Sequence, residues 1–152
     1  MKRTPKRIAL CLCLIAVNLA VIWGCSLMDA ELSSAVSGFV GKIVDWLFPG
    51  ADAVSGGTGH GLLRKIGHFT EFAALGSLLT WFFGMVKKGR WTGALFSIGS
   101  GLLVACIDET IQLFIPGRAG QVTDVGIDML GCTLAIVLIN FVYKLKILEE
   151  TK

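Results

Sequence analysis

Eight ionisable side chains, Lys65, His68, Glu71, Asp108, Glu109, Arg118, Asp124 and Asp128, lie in or beside strongly apolar stretches of this chain. A charge near the centre of a bilayer costs about 2.5 to 3.5 kcal/mol on insertion scales, so such groups persist only where they face one another or a wet cavity. Lys65 and Arg118 set against Glu71, Asp108, Glu109, Asp124 and Asp128 make two positive and five negative groups, with His68 neutral. In a low dielectric this negative excess requires either carboxyls that keep their protons or a bound cation. The first arrangement serves general acid and base catalysis, for which His68, Glu71, Asp108 and Glu109 are the candidates. The second serves a hard, oxygen-ligated divalent cation such as Mg²⁺ or Ca²⁺, with Asp124 and Asp128, one helical turn apart, as candidate metal ligands. Lys65, Gln112 and Arg118 are candidate ligand-binding groups, and the planar guanidinium of Arg118 suits a phosphate or carboxylate.

These groups need elements to carry them. The chain has 152 residues, of which 54% are hydrophobic and 16% charged, and its mean hydropathy is +0.73. That is too apolar for a soluble domain of this size. Crossing a hydrocarbon core of about 30 Å takes about 20 helical residues. Four stretches are long enough: Ile8 to Met28, Ile66 to Val86, Trp91 to Ile115 and Val122 to Tyr143. Backbone groups in lipid must be satisfied within their own segment, so each is expected to be a helix. The fold class is therefore all-α, a small polytopic membrane bundle with four transmembrane helices.

Between the first two spans, Val36, Phe39, Val40, Ile43, Val44 and Leu47 recur at helical spacing, opposed by Ser37, Lys42 and Asp45. This predicts an amphipathic interfacial helix over residues 35–48, lying on the outer leaflet or packed on the ends of the bundle. Pro49 ends it, and Gly50 to Gly61 reads as a flexible linker in which His60 is solvated. The expected organisation is a cytoplasmic N-terminus and first span (1–28), an extracytoplasmic loop (29–64), a three-helix core (65–143) and a cytoplasmic tail (144–152).

Orientation follows from the basic residues. Lys2, Arg3, Lys6, Arg7, Lys87, Lys88, Arg90, Lys144, Lys146 and Lys152 fall on one side, against Lys42, Arg64, Lys65 and Arg118 on the other. The bias places both termini in the cytoplasm. The net charge of +3 reflects attraction to anionic lipid and not a nucleic-acid surface. The basic start and apolar run of the first span also fit a signal peptide, but the bulky Trp23 before Gly24-Cys25 disfavours lipoprotein cleavage, so an uncleaved anchor is expected. Cys11, Cys13, Cys25, Cys106 and Cys132 all fall in apolar spans, with neither disulfide nor zinc spacing.

Helical periodicity puts Lys65, His68, Phe72 and Gly76 on one face of the second span, with Glu71 at its edge. It likewise aligns Gly101, Ala105, Asp108 and Gln112 on the third, and Asp124, Asp128, Gly131 and Ala135 on the fourth. Each polar face continues as small residues, which let membrane helices approach closely, so these are contact faces. Eight residues separate Asp108 from Pro116, which predicts a depth of about 12 Å at 1.5 Å per residue.

The motifs Arg64-Lys65-Ile66-Gly67-His68-Phe69-Thr70-Glu71-Phe72, Asp108-Glu109-Thr110-Ile111-Gln112-Leu113-Phe114, Pro116-Gly117-Arg118-Ala119-Gly120 and Asp124-Val125-Gly126-Ile127-Asp128 closely resemble the VanZ-like membrane proteins. The resemblance runs from Arg64 to the end of the fourth span and is weaker in the first span and at Ser33-Ser34. It implies a bacterial cytoplasmic membrane protein of the cell envelope associated with lowered susceptibility to teicoplanin-type glycopeptides. The partners it implies are the lipid bilayer and a lipid-linked cell-wall precursor or anionic lipid. The spacing Gly120-x-x-x-Asp124-x-x-x-Asp128 is also similar to half of the CDP-alcohol phosphotransferase motif, whose aspartates hold a divalent metal. The other half, an Asp-x-x-Asp-Gly stretch ahead of Ala-Arg, has no counterpart here.

Three readings follow. The cluster binds or remodels a lipid-linked surface molecule, with Lys65 and Arg118 on its anionic headgroup. Alternatively, it is the centre of an intramembrane, metal-dependent enzyme acting on a lipid phosphate or ester. In the third reading, it is a structural network of ion pairs that locks the helices together.

Overall fold

The computed structural model describes residues 4–47, 59–87 and 89–150, and among these are five helices. The helices are α1 (Pro5–Ser26), α2 (Ala30–Leu47), α3 (Gly59–Val86), α4 (Arg90–Gln112) and α5 (Val122–Glu150). All but α2 are long and apolar enough to cross a membrane, over Pro5–Ser26, Gly61–Val86, Arg90–Gln112 and Val122–Ile147. The chain is a multi-pass membrane protein of the all-α class.

Local chemistry sets the boundaries. Pro5 opens α1, where its missing N–H costs nothing. The Asp29 carboxylate accepts the Leu32 N–H at 2.7 Å, which starts α2 at Ala30 instead of residue 35. Helix α4 stops at Gln112 and not at Ile115, because Ile115 precedes Pro116, and a residue before proline is steered away from helical geometry. Gly117 then turns the chain at φ +73°, a left-handed conformation suited to glycine. Helix α5 runs past Tyr143 to Glu150, carrying Lys144 and Lys146 on an unbroken helical extension. Of the Gly50 to Gly61 linker, residues 50–58 lie outside the described residues, while α3 already begins at Gly59; the side chain of His60 is likewise outside the description.

Helix α3 is the hub, in contact with each of the other four helices, and its contact with α5 is the most extensive in the bundle. Small residues set that spacing. A methyl group on Gly76 would stand 2.5 Å from the Cys132 carbonyl oxygen, and one on Gly101 would stand 2.6 Å from the Cys132 Sγ. One on Gly131 would overlap the Phe69 carbonyl. Backbone thus meets backbone, as expected where dispersion and not water drives helix association. Ile22, Phe72, Leu75, Leu79, Ala105, Cys132 and Ile136 fill the core, while Leu10, Val17, Leu95, Leu103, Leu134 and Val137 point outward. In lipid, such an apolar exterior is the expected surface.

At one end of the bundle, Arg90 donates to the Asn140 carbonyl and Lys87 lies 3.7 Å above the Phe96 ring, tying α4 to its neighbours. The other end carries the buried ionisable residues His68, Asp108, Glu109, Asp124 and Asp128.

Candidate functional site

Four helices and one turn converge at that end. Ser26 is the last residue of α1, His68 sits on α3, Asp108, Glu109 and Gln112 occupy the final turn and a half of α4, and Asp124 and Asp128 lie in the first two turns of α5. Asp108 stands four residues from the end of its helix, about 6 Å at 1.5 Å per residue. It is therefore shallower than the 12 Å expected from sequence, because α4 ends before Pro116 and not at it.

Asp108 is fully buried and held on both oxygens. Ser26 Oγ donates to Oδ1 at 2.7 Å and Gln112 Nε2 to Oδ2 at 3.0 Å. The i, i+4 relation stacks Gln112 directly over Asp108 on the buried face, and the same amide lies 3.2 Å from Glu109 Oε1 and 3.4 Å from Ser26 Oγ. Glu109 links this centre to the turn, with Oε1 on the Gln112 amide. Its Oε2 accepts the Gln121 N–H at 2.7 Å, fastening the α4–α5 turn to the end of α4.

His68 and Asp128 complete the centre without such bonds. His68 Nδ1 lies 3.8 Å from Asp108 Oδ2 and 3.8 Å from Asp128 Oδ1, beyond direct hydrogen bonding. Among the described residues, fully buried Asp128 has no hydrogen-bond partner on either oxygen, and buried His68 Nδ1 is equally unpartnered. One donor atom from each of His68, Asp108 and Asp128 lies within 4.8 Å of the other two. Asp124 stands outside this group: its Oδ1 is 4.0 Å from Lys65 Nζ, and that lysine side chain is 46% exposed. Asp124 thus faces Lys65, while Asp128, four residues on, faces His68.

A cavity of about 200 Å³ opens beside the centre, roofed by α2. Arg64, His68, Glu71, Arg118, Ser33 and Ser37 supply its polar wall. Arg118 Nη2 donates to the Cys25 carbonyl at 2.9 Å, which anchors the turn to the end of α1. Its Nε and Nη1 are buried and have no acceptor among the described residues. Burial, reinforced by the nearby Arg64 charge, pulls the Arg118 guanidinium below its ordinary value, yet an arginine remains protonated at neutral pH.

Of the sequence candidates, His68, Asp108 and Asp128 meet at the centre, Gln112 orients Asp108, and Glu71 and Arg118 face the cavity. Glu109 faces the turn, and Lys65 points toward α5. Two contributors escape sequence reasoning. Ser26 stands where a span ends and reads there as a boundary. Arg64 sits next to Lys65, and the helical step between neighbours gives the cavity to Arg64 instead.

With this geometry in place, comparison with known proteins is specific at one level. Neither a curated protein nor a solved structure matches the chain. The sequence pattern of the VanZ/LLP1 family matches residues 8–143. That match takes in every residue of the buried centre, the cavity wall and most of each membrane-crossing helix, so the chain belongs to the VanZ/LLP1 family.

Proposed function

We propose that this protein binds the anionic headgroup of a lipid-linked cell-surface molecule in the cavity under α2, and thereby lowers bacterial susceptibility to teicoplanin-type glycopeptides. The observation that carries this reading is Arg118, with two buried guanidinium nitrogens lacking an acceptor among the described residues, at the wall of a cavity shared with Arg64, Ser33 and Ser37. Buried donors without partners are costly, and an oxyanion would satisfy them with charge-assisted bonds. At about 200 Å³ the cavity is below the roughly 300 to 1,000 Å³ of drug-sized pockets. It therefore suits a phosphate or carboxylate headgroup and not the antibiotic itself. The ten-to-four division of basic residues supports placing both termini in the cytoplasm of a bacterial cell, with the cavity on the side where cell-wall precursors are exposed.

The test pairs cells with binding. Cells expressing the chain should tolerate more teicoplanin than cells without it, and Arg118→Ala should remove the difference. In nanodiscs, Arg118→Ala should weaken binding of phosphatidylglycerol about tenfold or more, the loss expected of hydrogen bonds to a charged group, worth about 1.5 to 3 kcal/mol. Unchanged susceptibility with unchanged lipid binding would sink the proposal. A second reading, catalysis on a lipid phosphate or ester, draws support from His68 and Glu71 lining that same wall. Release of phosphate or fatty acid from lipid by the purified protein, abolished in His68→Gln, is the result it requires.

A further inference from the structure

The buried centre beneath the cavity has a chemistry of its own. Asp128 is fully buried, and neither of its carboxylate oxygens has a hydrogen-bond partner among the described residues. A buried carboxylate needs a proton, a partner or a metal, because desolvation without compensation costs several kcal/mol. His68 Nδ1 faces it, similarly unpartnered, at 3.8 Å. That separation is too long for a direct hydrogen bond. It is close to the spacing of two ligands around one ion, since atoms at about 2.0 to 2.2 Å from a tetrahedral metal stand about 3.4 Å apart. Asp108 Oδ2, 3.8 Å from the same Nδ1, supplies the third donor, and one donor atom from each of the three residues lies within 4.8 Å of the other two.

We propose that His68 Nδ1, Asp108 Oδ2 and the Asp128 carboxylate ligate one divalent first-row transition-metal ion, of the Zn²⁺ or Mn²⁺ kind. The donor set decides the class. One imidazole and two carboxylates match these ions, whereas Ca²⁺ takes six to eight oxygens and Mg²⁺ usually keeps several waters. Three protein ligands leave a position open, as in catalytic and not structural metal sites. His68 also forms part of the cavity wall, so the ion has a route of entry. Ser26 and Gln112, on Asp108 at 2.7 and 3.0 Å, are the outer partners that hold a ligating carboxylate in place. Asp124 and Glu109 take no part, being engaged with Lys65 and the Gln121 amide.

The test needs neither headgroup nor turnover, so its result is separate from that of the headgroup proposal. The full chain, purified with chelator and placed in phosphatidylcholine nanodiscs, is dialysed against Zn²⁺ or Mn²⁺ and assayed for metal by elemental analysis. Wild type should hold about one equivalent per chain. Ser26→Ala should weaken binding by about 10-fold to 100-fold, as loss of an outer partner does. His68→Ala and Asp128→Asn should weaken it further, while Asp124→Asn should leave it unchanged. X-ray absorption on the wild-type zinc form gives a readout independent of how any variant folds, with nitrogen and oxygen ligands expected at about 2.0 to 2.2 Å and no sulfur. Failure of wild type to retain either ion, a sulfur ligand, or full occupancy in folded Asp128→Asn would each overturn the assignment.

Discussion

Ser26 shows how a side chain of modest chemistry can hold a charged centre together. It reaches from the end of α1 to a fully buried carboxylate on α4 at 2.7 Å, so Ser26→Ala leaves one Asp108 oxygen without its donor. The expected cost is about 1 to 3 kcal/mol, seen as a lower thermal midpoint in detergent by circular dichroism. Arg118→Lys should weaken anionic-lipid binding despite keeping the charge, because an ammonium cannot reproduce a planar guanidinium that already spends Nη2 on the Cys25 carbonyl. At this scale the acidic cluster was readable, since charges in apolar helices must seek one another. The serine and Arg64 were not. Nothing local distinguishes a serine that ends a span from one that reaches across to a neighbouring helix, and two adjacent basic residues look equivalent until the helix assigns each a direction.

Helices pack here through what their side chains lack. A methyl group at Gly131 would collide with the Phe69 carbonyl, whereas one at Gly126, on the same helix, would meet no atom of the described residues within 4 Å. Gly131→Ala should therefore destabilise the bundle by about 1 to 3 kcal/mol, while Gly126→Ala should stay within about 0.5 kcal/mol. Thermal unfolding of the two variants side by side measures the difference. The stripes of small residues beneath each polar face were legible from periodicity alone and identify the contact faces correctly. Boundaries were harder. The start of α2 depends on a single Asp29 side chain acting as a cap, and the end of α4 on the steric reach of Pro116, effects to which hydrophobic periodicity is blind. The amphipathic pattern of α2 was visible, and with it both an interfacial and a bundle-capping placement, but not the choice between them, because a helix that packs on α3 and one that floats on lipid share the same stripe.

The whole molecule is a small polar chamber set into one end of an apolar bundle. If the basic residues orient it as proposed, Ser33→Cys and Lys146→Cys will report opposite sides. A membrane-impermeant maleimide added to intact cells or spheroplasts should label the first and spare the second, with both labelled after permeabilisation. The reverse pattern would turn the chamber toward the cytosol and remove its access to cell-wall precursors. Cys132 offers a different kind of witness. It is fully buried, wedged between Gly76 and Gly101, whereas Cys13 and Cys106 sit on the outer surface. A small thiol reagent that dissolves in lipid should consume the two surface cysteines at once and then wait for the bundle to part. With buried Cys11 and partly buried Cys25 replaced by serine, the slow phase of that alkylation would clock how often α3, α4 and α5 separate, and its acceleration or arrest on adding a ligand would reveal whether occupancy of the chamber loosens or tightens the protein that holds it.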